Sequence, residues 1–441
     1  MKFKKPGFSK YASFVAIALL ASCATQPKQA PAPAVTEYRY PIENPYAATI
    51  IGLPAELKQT PAAPVEVKEE HLTLFKDRKI PEGFWYEQEL RYGTILHKKP
   101  APLLYIIAGT GSDHRSSNMV ALGQVFYQAG YHVVLLPSST HPNFIITASE
   151  TFVPGRLTQS AEDMYRVIKQ IDAKIAKKNR VQDRFLMGYS LGALDSAFTA
   201  HLDDQEKAIN FKRVLLINPP LSLYSAIQKV DRMLYQGLPD GINGVDKFID
   251  TEMARLSTAS PSGDPLDFSN SRLLIDAYTK YPVSDERLAS MIGLAFRLFS
   301  ANMIFTSDVM THKGYIFPSN VPYRTTTHMN DYLSVALRTS LMNYFEDVYS
   351  EYYLSADPTL TPQTLVSQSS LEYLAPYLQN NPKFGLFTNK DDIILSKGDL
   401  ERLQHIFGSR ARVYPNGGHL GNLNYAPVTQ DMVQFMNGGA K

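Results

Sequence analysis

The feature that most constrains the fold is the pentapeptide Gly188-Tyr189-Ser190-Leu191-Gly192. It directly follows the apolar run Phe185-Leu186-Met187, which is typical of a buried strand, and it directly precedes a helix-forming stretch, residues 193–202. A serine side chain reaches the end of a parallel sheet only where the chain turns so sharply that side chains two residues to either side would collide. Glycines at 188 and 192 remove those collisions. The sequence therefore predicts a strand, a tight turn that carries a serine, and a helix whose first amides face that serine.

Short apolar runs alternate with amphipathic helices around this turn, as they do in the βα units of a mostly parallel sheet. A helix is predicted from about Ser160 to Lys178, with Ser160 and Asp163 placed as a capping box. Edge strands are predicted at His71–Phe75 and Phe84–Leu90. The remaining strands are predicted at Leu103–Ala108, Val133–Leu136, Phe185–Met187, Val214–Ile217, Phe384–Phe387 and Ala411–Tyr414.

A long insertion interrupts the alternation, which stops at Pro219-Pro220 and resumes near Lys383. The intervening residues, 221–382, are rich in Tyr, Phe and Met and are predicted to be helical. Their most apolar portion, Leu288 to Phe305, is broken mainly by Arg297 and Asn302. Two interpretations stay open for it: a buried helix of a cap, or a lid helix that contacts lipid or an acyl substrate.

The N-terminus predicts export. Residues 1–22 carry four lysines and no acidic residue, and their apolar stretch, Ala12 to Ala21, is about half the length needed to span a bilayer. The end of this segment, Leu20-Ala21-Ser22-Cys23, resembles the bacterial lipoprotein signal, which implies that Cys23 is acylated and becomes the new N-terminus. An uncleaved anchor or an incidental cysteine is the alternative. In that family an Asp after the Cys favours the inner membrane, so Ala24 implies the outer membrane of a bacterial envelope.

Residues 23–66 are rich in Pro and Ala, which predicts an extended tether and places the start of the folded part at residue 67. The 441-residue chain is 44% hydrophobic and has a formal charge of +2, which turns slightly negative without the four lysines of the signal. This balance argues against a nucleic-acid partner. The sequence contains neither a His-Glu-x-x-His motif, nor a second cysteine, nor a glycine-rich dinucleotide motif, so no metal and no cofactor is predicted.

Two loops downstream supply partners for a serine nucleophile, which needs a base to take its proton and an acid to orient that base. The loop after Phe384–Phe387 offers Asp391 as the first choice of acid and Asp392 as the second. The glycine-rich loop around residues 416–421 presents His419 as the base. Taken singly, each has a plainer interpretation, as a turn-capping aspartate or a surface-loop histidine.

The chain order Ser190, Asp391, His419 is that of the α/β-hydrolase superfamily, which the sequence resembles over about residues 100–219 and 383–437. The resemblance implies an α/β fold with a mostly parallel central sheet flanked by helices and a large helical cap after the sixth strand. It also implies Ser190 as nucleophile, His419 as base and Asp391 as acid.

The resemblance further implies an oxyanion hole in which the Leu191 amide is one donor. The second donor is Thr110 or Gly111, in the run 108–114 that replaces the His-Gly of many members. Asp113 and His114 either line the pocket or cap the next helix.

The expected activity is hydrolysis of a small-molecule or lipid carboxylic ester with a hydrophobic acyl group, through an acyl-enzyme. An acyltransferase or peptidase that uses the same triad is one alternative. The other is a catalytically silent envelope lipoprotein of this fold that binds a ligand.

Overall fold

The computed structural model describes residues 38–54, 57, 63–238, 240–259 and 283–438. The predicted signal, Cys23 and the first part of the predicted tether lie outside these residues. The described part of the chain builds one eight-stranded sheet. Its strands are β1 (Lys68–Leu72), β2 (Leu90–Ile95), β3 (Ala101–Ile107), β4 (His132–Leu136), β5 (Val181–Tyr189), β6 (Phe211–Ile217), β7 (Phe384–Asn389) and β8 (Ala411–Tyr414).

The strands lie in the order β1-β2-β4-β3-β5-β6-β7-β8. The strand β2 is antiparallel to both of its neighbours, and all pairs from β4 to β8 are parallel. This arrangement confirms the predicted α/β-hydrolase fold, in which β5 occupies the middle of the sheet and ends at Tyr189, directly before Ser190.

Helices cover both faces of the sheet because its central strands are apolar on both sides. In β3, Leu103, Tyr105 and Ile107 pack in one core cluster, and the alternate residues Leu104 and Ile106 pack in another. The sheet-covering helices are α2 (Ser117–Gln128), α4 (Leu157–Ala176), α5 (Leu191–Glu206), α14 (Asp399–Phe407) and α15 (Ala426–Met436).

Three local predictions differ from the structure. The edge strand predicted at His71–Phe75 runs from Lys68 to Leu72, three residues earlier. The strand predicted at Phe84–Leu90 begins only at Leu90, because Phe84 packs against the cap residues Tyr323 and Phe305, with ring centroids 4.9 and 6.4 Å away. The helix predicted from Ser160 begins at Leu157, which is fully buried and extends the apolar face by a turn. The Asp163 carboxylate accepts a hydrogen bond from the Glu150 amide instead of completing a capping box.

The insertion between β6 and β7 is helical in its described residues. Its helices are α6 (Leu223–Gln236), α7 (Val245–Ala259), α8 (Asp285–Thr311), α9 (Asn330–Arg338), α10 (Leu341–Asn343), the π-helix Tyr344–Ser350, α11 (Glu351–Ala356), α12 (Pro362–Gln368) and α13 (Ala375–Asn380). By length and hydropathy, α8 is the one described helix that could cross a membrane. However, 61% of its most apolar window is buried in the protein. The prediction of a buried helix at Leu288–Phe305 therefore fits most of its length.

Arg297, which interrupts the apolar pattern of α8, connects three parts of the cap. Its side chain is 1% exposed. The guanidinium donates to the Asp231 carboxylate on α6 at 3.0 Å and to the Leu337 carbonyl on α9 at 3.2 Å. Asp231 also accepts the backbone amides of Leu341 and Met342. Removing one partner of a buried ion pair of this kind strongly destabilises the fold, because the other charge stays buried and unpaired.

The prediction of an extended tether as far as residue 66 is wrong for the described residues 38–54. Pro45–Ile51 form helix α1, with Asn44 as its N-cap. Its buried residues, Ala47, Ala48 and Ile51, lie on one face of the helix, a helical spacing that the Pro-rich composition of the segment obscured. Helix α3 (Pro142–Thr147) contacts the start of β2, where the Asn143 side chain accepts the Arg91 amide and donates to the Glu89 carbonyl.

Candidate active site

The turn between β5 and α5 places Ser190 in a strained backbone conformation. Its φ is 55° and its ψ is −123°, a combination that a side-chain-bearing residue rarely adopts. A Cβ atom at Gly188 would lie 2.0 Å from the Gly192 carbonyl oxygen, and one at Gly192 would lie 2.3 Å from the Ile107 carbonyl oxygen. The two glycines are thus required by the sharpness of the turn, as the sequence predicts.

Ser190, His419 and an aspartate form a hydrogen-bonded chain. The Ser190 Oγ lies 3.0 Å from His419 Nε2. The other ring nitrogen, Nδ1, lies 3.0 and 3.1 Å from the two carboxylate oxygens of Asp392. Because a carboxylate only accepts, Nδ1 carries the proton and Nε2 is left to accept from the serine hydroxyl. This is the geometry of a serine activated by a base.

The aspartate that contacts His419 is Asp392, the second choice of the sequence analysis, and not Asp391. The Asp391 carboxylate instead accepts the backbone amides of Gly417 and Gly418, at 3.2 and 3.0 Å. The first choice of acid is therefore wrong by one residue, because the tight turn after β7 directs the two neighbouring side chains to opposite sides. Burial raises the pKa of Asp391, and the two amides oppose that rise.

Asn218 is a site residue that the sequence analysis missed. It follows β6, has a φ of 44° and is buried. Its side-chain amide donates to Asp392 Oδ2 at 2.7 Å, and the Ile394 amide donates to Oδ1 at 3.1 Å. A polar residue at the carboxyl end of a parallel strand was the available signal.

The candidate oxyanion donors differ in the hydrogen bonds that they already make. The Gly111 amide already donates to the Thr140 hydroxyl at 3.0 Å. Among the described residues, the Thr110 amide has no hydrogen-bond partner, and Thr110 lines the same cavity as Ser190 and Leu191. The Leu191 amide is the first of helix α5, where amides lack an intrahelical partner. In the described part of the chain, the Leu191 and Thr110 amides are thus unpaired donors beside the serine, whereas the Gly111 amide is already engaged.

Asp113 and His114 do neither of the two things predicted for them. Asp113 Oδ1 accepts the Arg115 amide within its own turn. The next helix, α2, begins at Ser117, and its N-cap residue is Ser116 rather than Asp113 or His114. His114 is buried and its Nε2 lies 3.0 Å from a Glu69 carboxylate oxygen on β1. Neither residue lines the cavity at Ser190.

Helix α1 supports the histidine loop from the other end of the chain. The Thr49 hydroxyl accepts the backbone amide of His419 at 2.9 Å. It donates in turn to the Pro45 carbonyl at 2.7 Å. Asn416, three residues before the histidine, donates to the Ile42 carbonyl at 3.1 Å. No sequence signal pointed to this contact, because Thr49 and His419 are 370 positions apart.

A cavity with a mostly apolar wall opens beside Ser190, between the sheet and the cap. Its wall is built by α6, α8 and the segment 341–349. Its apolar side chains include Leu223, Tyr224, Ile227, Val230, Phe296, Met303, Leu341, Phe345 and Ile394.

Asp195 is a buried carboxyl group close to the site in sequence, on the second turn of α5. Its Oδ2 accepts the Ser139 hydroxyl at 2.8 Å. Its Oδ1 has no partner among the described residues. Burial raises the pKa of Asp195 to about 7. Ser139 neighbours Thr140, so Asp195 supports the loop that holds the Gly111 amide.

Neither a family model nor a curated protein matches the chain. Solved structures with a similar fold include an esterase from the fungus Rhizomucor miehei, with 12% identity, a TM-score of 0.42 and coverage of 90% of this chain and 98% of that one. A bacterial heroin esterase has 15% identity, a TM-score of 0.40 and 90% coverage of both chains. A bacterial brefeldin A esterase has 13% identity, a TM-score of 0.41 and coverage of 89% and 81%.

The chain's own strand order, the turn at Ser190 and the cap between β6 and β7 define it as a protein of the α/β-hydrolase fold.

Proposed function

We propose that this protein is a serine hydrolase that cleaves carboxylic esters with a hydrophobic acyl group. The observation that carries the proposal is the chain from Ser190 Oγ through His419 to Asp392, with contacts of 3.0 and 3.0 Å, beside a cavity with a mostly apolar wall. A buried triad with this geometry activates a serine hydroxyl for attack on a carbonyl carbon.

The proposed mechanism has two half-reactions. The Ser190 oxygen attacks the ester carbonyl while His419 Nε2 takes its proton, and the Leu191 and Thr110 amides stabilise the oxyanion. His419 then returns that proton to the departing alcohol, which leaves an acyl-enzyme. A water molecule, deprotonated by His419, attacks the acyl-enzyme, and His419 returns that proton to the Ser190 oxygen as the acid departs. Asp392 holds the imidazole in place and stabilises its protonated form.

We also propose that the protein is anchored through a lipid on Cys23 in a bacterial envelope, more specifically at the outer membrane. The support is the sequence around Cys23 and Ala24. Metabolic labelling with a radioactive fatty acid tests it: label is expected in the native chain and absent from Cys23→Ser. Label in both variants would contradict the anchor.

Active-site labelling tests the hydrolase. A fluorophosphonate should add one phosphonyl group to the native protein, read by intact mass, and none to Ser190→Ala. Ser334→Ala, which removes a hydroxyl exposed on α9, is the matched control and should label normally. An unlabelled native protein would contradict the proposal. Product analysis with alcohol and amine acceptors then separates hydrolysis from acyl transfer, since a transferase would yield new esters or amides.

A further inference from the structure

Three tyrosines in the cap segment that follows α10 differ in one respect. The Tyr344 hydroxyl donates to the Pro154 carbonyl at 2.9 Å, and the Tyr353 hydroxyl donates to the Val153 carbonyl at 2.8 Å. These two bonds tie the cap to the loop between α3 and α4. The Tyr349 hydroxyl, between them in sequence, is buried and has no hydrogen-bond partner among the described residues.

Tyr349 is part of the wall of the cavity beside Ser190 and is 2% exposed. Its ring is held by Phe345, stacked at 5.1 Å, and by the edge of Tyr353 at 4.9 Å. It belongs to the π-helix Tyr344–Ser350, a rare conformation that is frequent at functional sites. Burial, the largest cause, raises the pKa of Tyr349 well above its ordinary value, so the hydroxyl keeps its proton and can donate.

Two other hydroxyl groups of the cavity wall are already paired. The Thr140 hydroxyl accepts the Gly111 amide, and the Ser369 hydroxyl donates to the Val366 carbonyl at 2.9 Å. A buried hydroxyl without a partner destabilises the protein, and a bound group that pairs with it removes this cost. Such a group also sets specificity, because a site built for one hydrogen bond rejects analogues that mismatch it.

We propose that Tyr349 is a specificity-determining residue that selects acyl chains bearing an oxygen, as a hydroxyl or an oxo group, over unsubstituted chains. The oxygen accepts a hydrogen bond from the Tyr349 hydroxyl while the rest of the chain packs on the apolar wall. This inference rests on the proposed ester hydrolysis at Ser190 and specifies its substrate class.

The test compares the p-nitrophenyl ester of a medium-length straight acid with esters of the same acid that carry one hydroxyl or one oxo group at successive carbons. For the native protein, kcat/KM is expected to be several-fold higher for one substituted isomer than for the plain ester. In Tyr349→Phe that isomer becomes the poorer substrate, because its oxygen is buried unpaired, and the ratio changes by about ten- to a hundredfold. Absence of any preferred isomer, or a preference that survives in Tyr349→Phe, would overturn the inference.

Tyr353→Phe is the matched control, since it deletes the same atom from a tyrosine whose hydroxyl is paired and which is not part of the cavity wall. It should leave the substrate ratio unchanged and lower the melting temperature. Tyr349→Phe should leave the melting temperature equal or higher, because it removes an unpaired group. A fall as large as that of Tyr353→Phe would contradict an unpaired Tyr349 hydroxyl.

Binding separates this inference from the hydrolase proposal. In Ser190→Ala, calorimetry should show tighter binding of the preferred ester than of the plain one, and Tyr349→Phe in that background should remove the difference. Equal binding would refute the role of Tyr349 even if the native protein hydrolyses both esters. A native protein that binds with this preference but neither labels nor turns over would refute hydrolysis and leave the Tyr349 site standing.

Discussion

Replacing Asp391 and Asp392 one at a time by asparagine distinguishes the roles of these two neighbouring carboxylates. Asp392→Asn replaces the group that contacts His419 Nδ1 by an amide of the same shape. The amide nitrogen can donate to Nδ1, which favours the tautomer with its proton on Nε2. That tautomer cannot accept the Ser190 proton. Asp391→Asn alters only the carboxylate that accepts the Gly417 and Gly418 amides.

The expected losses in kcat for the two variants differ by about three orders of magnitude. Loss of the correct tautomer costs about 10⁴-fold in kcat in enzymes with this triad, or about 5.5 kcal/mol of transition-state stabilisation. The Asp391→Asn side chain keeps one oxygen for one of the two amides, and it no longer buries a carboxyl group whose pKa burial has raised. Its loss in kcat should stay below about tenfold, since one hydrogen bond is weakened.

The assay is steady-state hydrolysis of a p-nitrophenyl ester by the native protein and both variants, with melting temperatures to show that each is folded. A loss near 10⁴-fold in Asp391→Asn with nearly full activity in Asp392→Asn would refute the assignment and restore the first choice of the sequence analysis. Equal, modest losses in both would show that neither carboxylate orients His419.

Three further perturbations test the surroundings of the site. Thr49→Val should lower kcat about fivefold, because the His419 amide loses one hydrogen bond worth about 1 kcal/mol. Steady-state kinetics measures this, and Thr49→Ser, which keeps the hydroxyl, should restore the rate; a Thr49→Ser variant as slow as Thr49→Val would contradict the prediction. Arg297→Met should destabilise the fold by about 3–5 kcal/mol, since it leaves the Asp231 carboxylate buried and unpaired; urea denaturation measures it, and a change below about 1 kcal/mol would contradict the role of the ion pair. Asp195 has a folded-state pKa of about 7 against an ordinary 3.8, so it contributes stability that is present below pH 3.8 and is lost as pH rises to about 7. The unfolding free energy of Asp195→Asn should therefore fall less between pH 4 and pH 8 than that of the native protein, and an unchanged pH dependence would contradict the raised pKa.

The central sheet could be predicted from the sequence because its strands are continuous apolar runs that are followed by residues typical of turns. Leu103–Ala108 and Phe384–Phe387 were placed within two residues of the observed strands. The edges were less predictable, since Phe84 is as apolar as a strand residue but packs against the cap. The helix at Pro45–Ile51 was hidden by a Pro- and Ala-rich composition that is typical of tethers.

The site could be predicted only as far as local chemistry reaches. The turn at Ser190 and the loop of His419 have local glycine patterns, so both were found. The choice between Asp391 and Asp392 depends on the direction of two adjacent side chains, which a one-residue difference in the turn reverses. Thr49 and Asn218 act from distant segments, and their contacts exist only once the chain has folded.

The spacing of the site along the chain has a consequence for the time course of folding. Ser190 and His419 are 229 positions apart, and the histidine loop is held by Thr49, 370 positions before it. During synthesis Ser190 emerges long before His419. Thr49 emerges earlier still, but it can bind the His419 loop only when nearly the whole chain has been made. Closing such long loops is slow relative to local structure. Catalytic competence is therefore expected to arise last, after the sheet and cap have formed, so that a truncated or half-folded chain carries an unactivated serine.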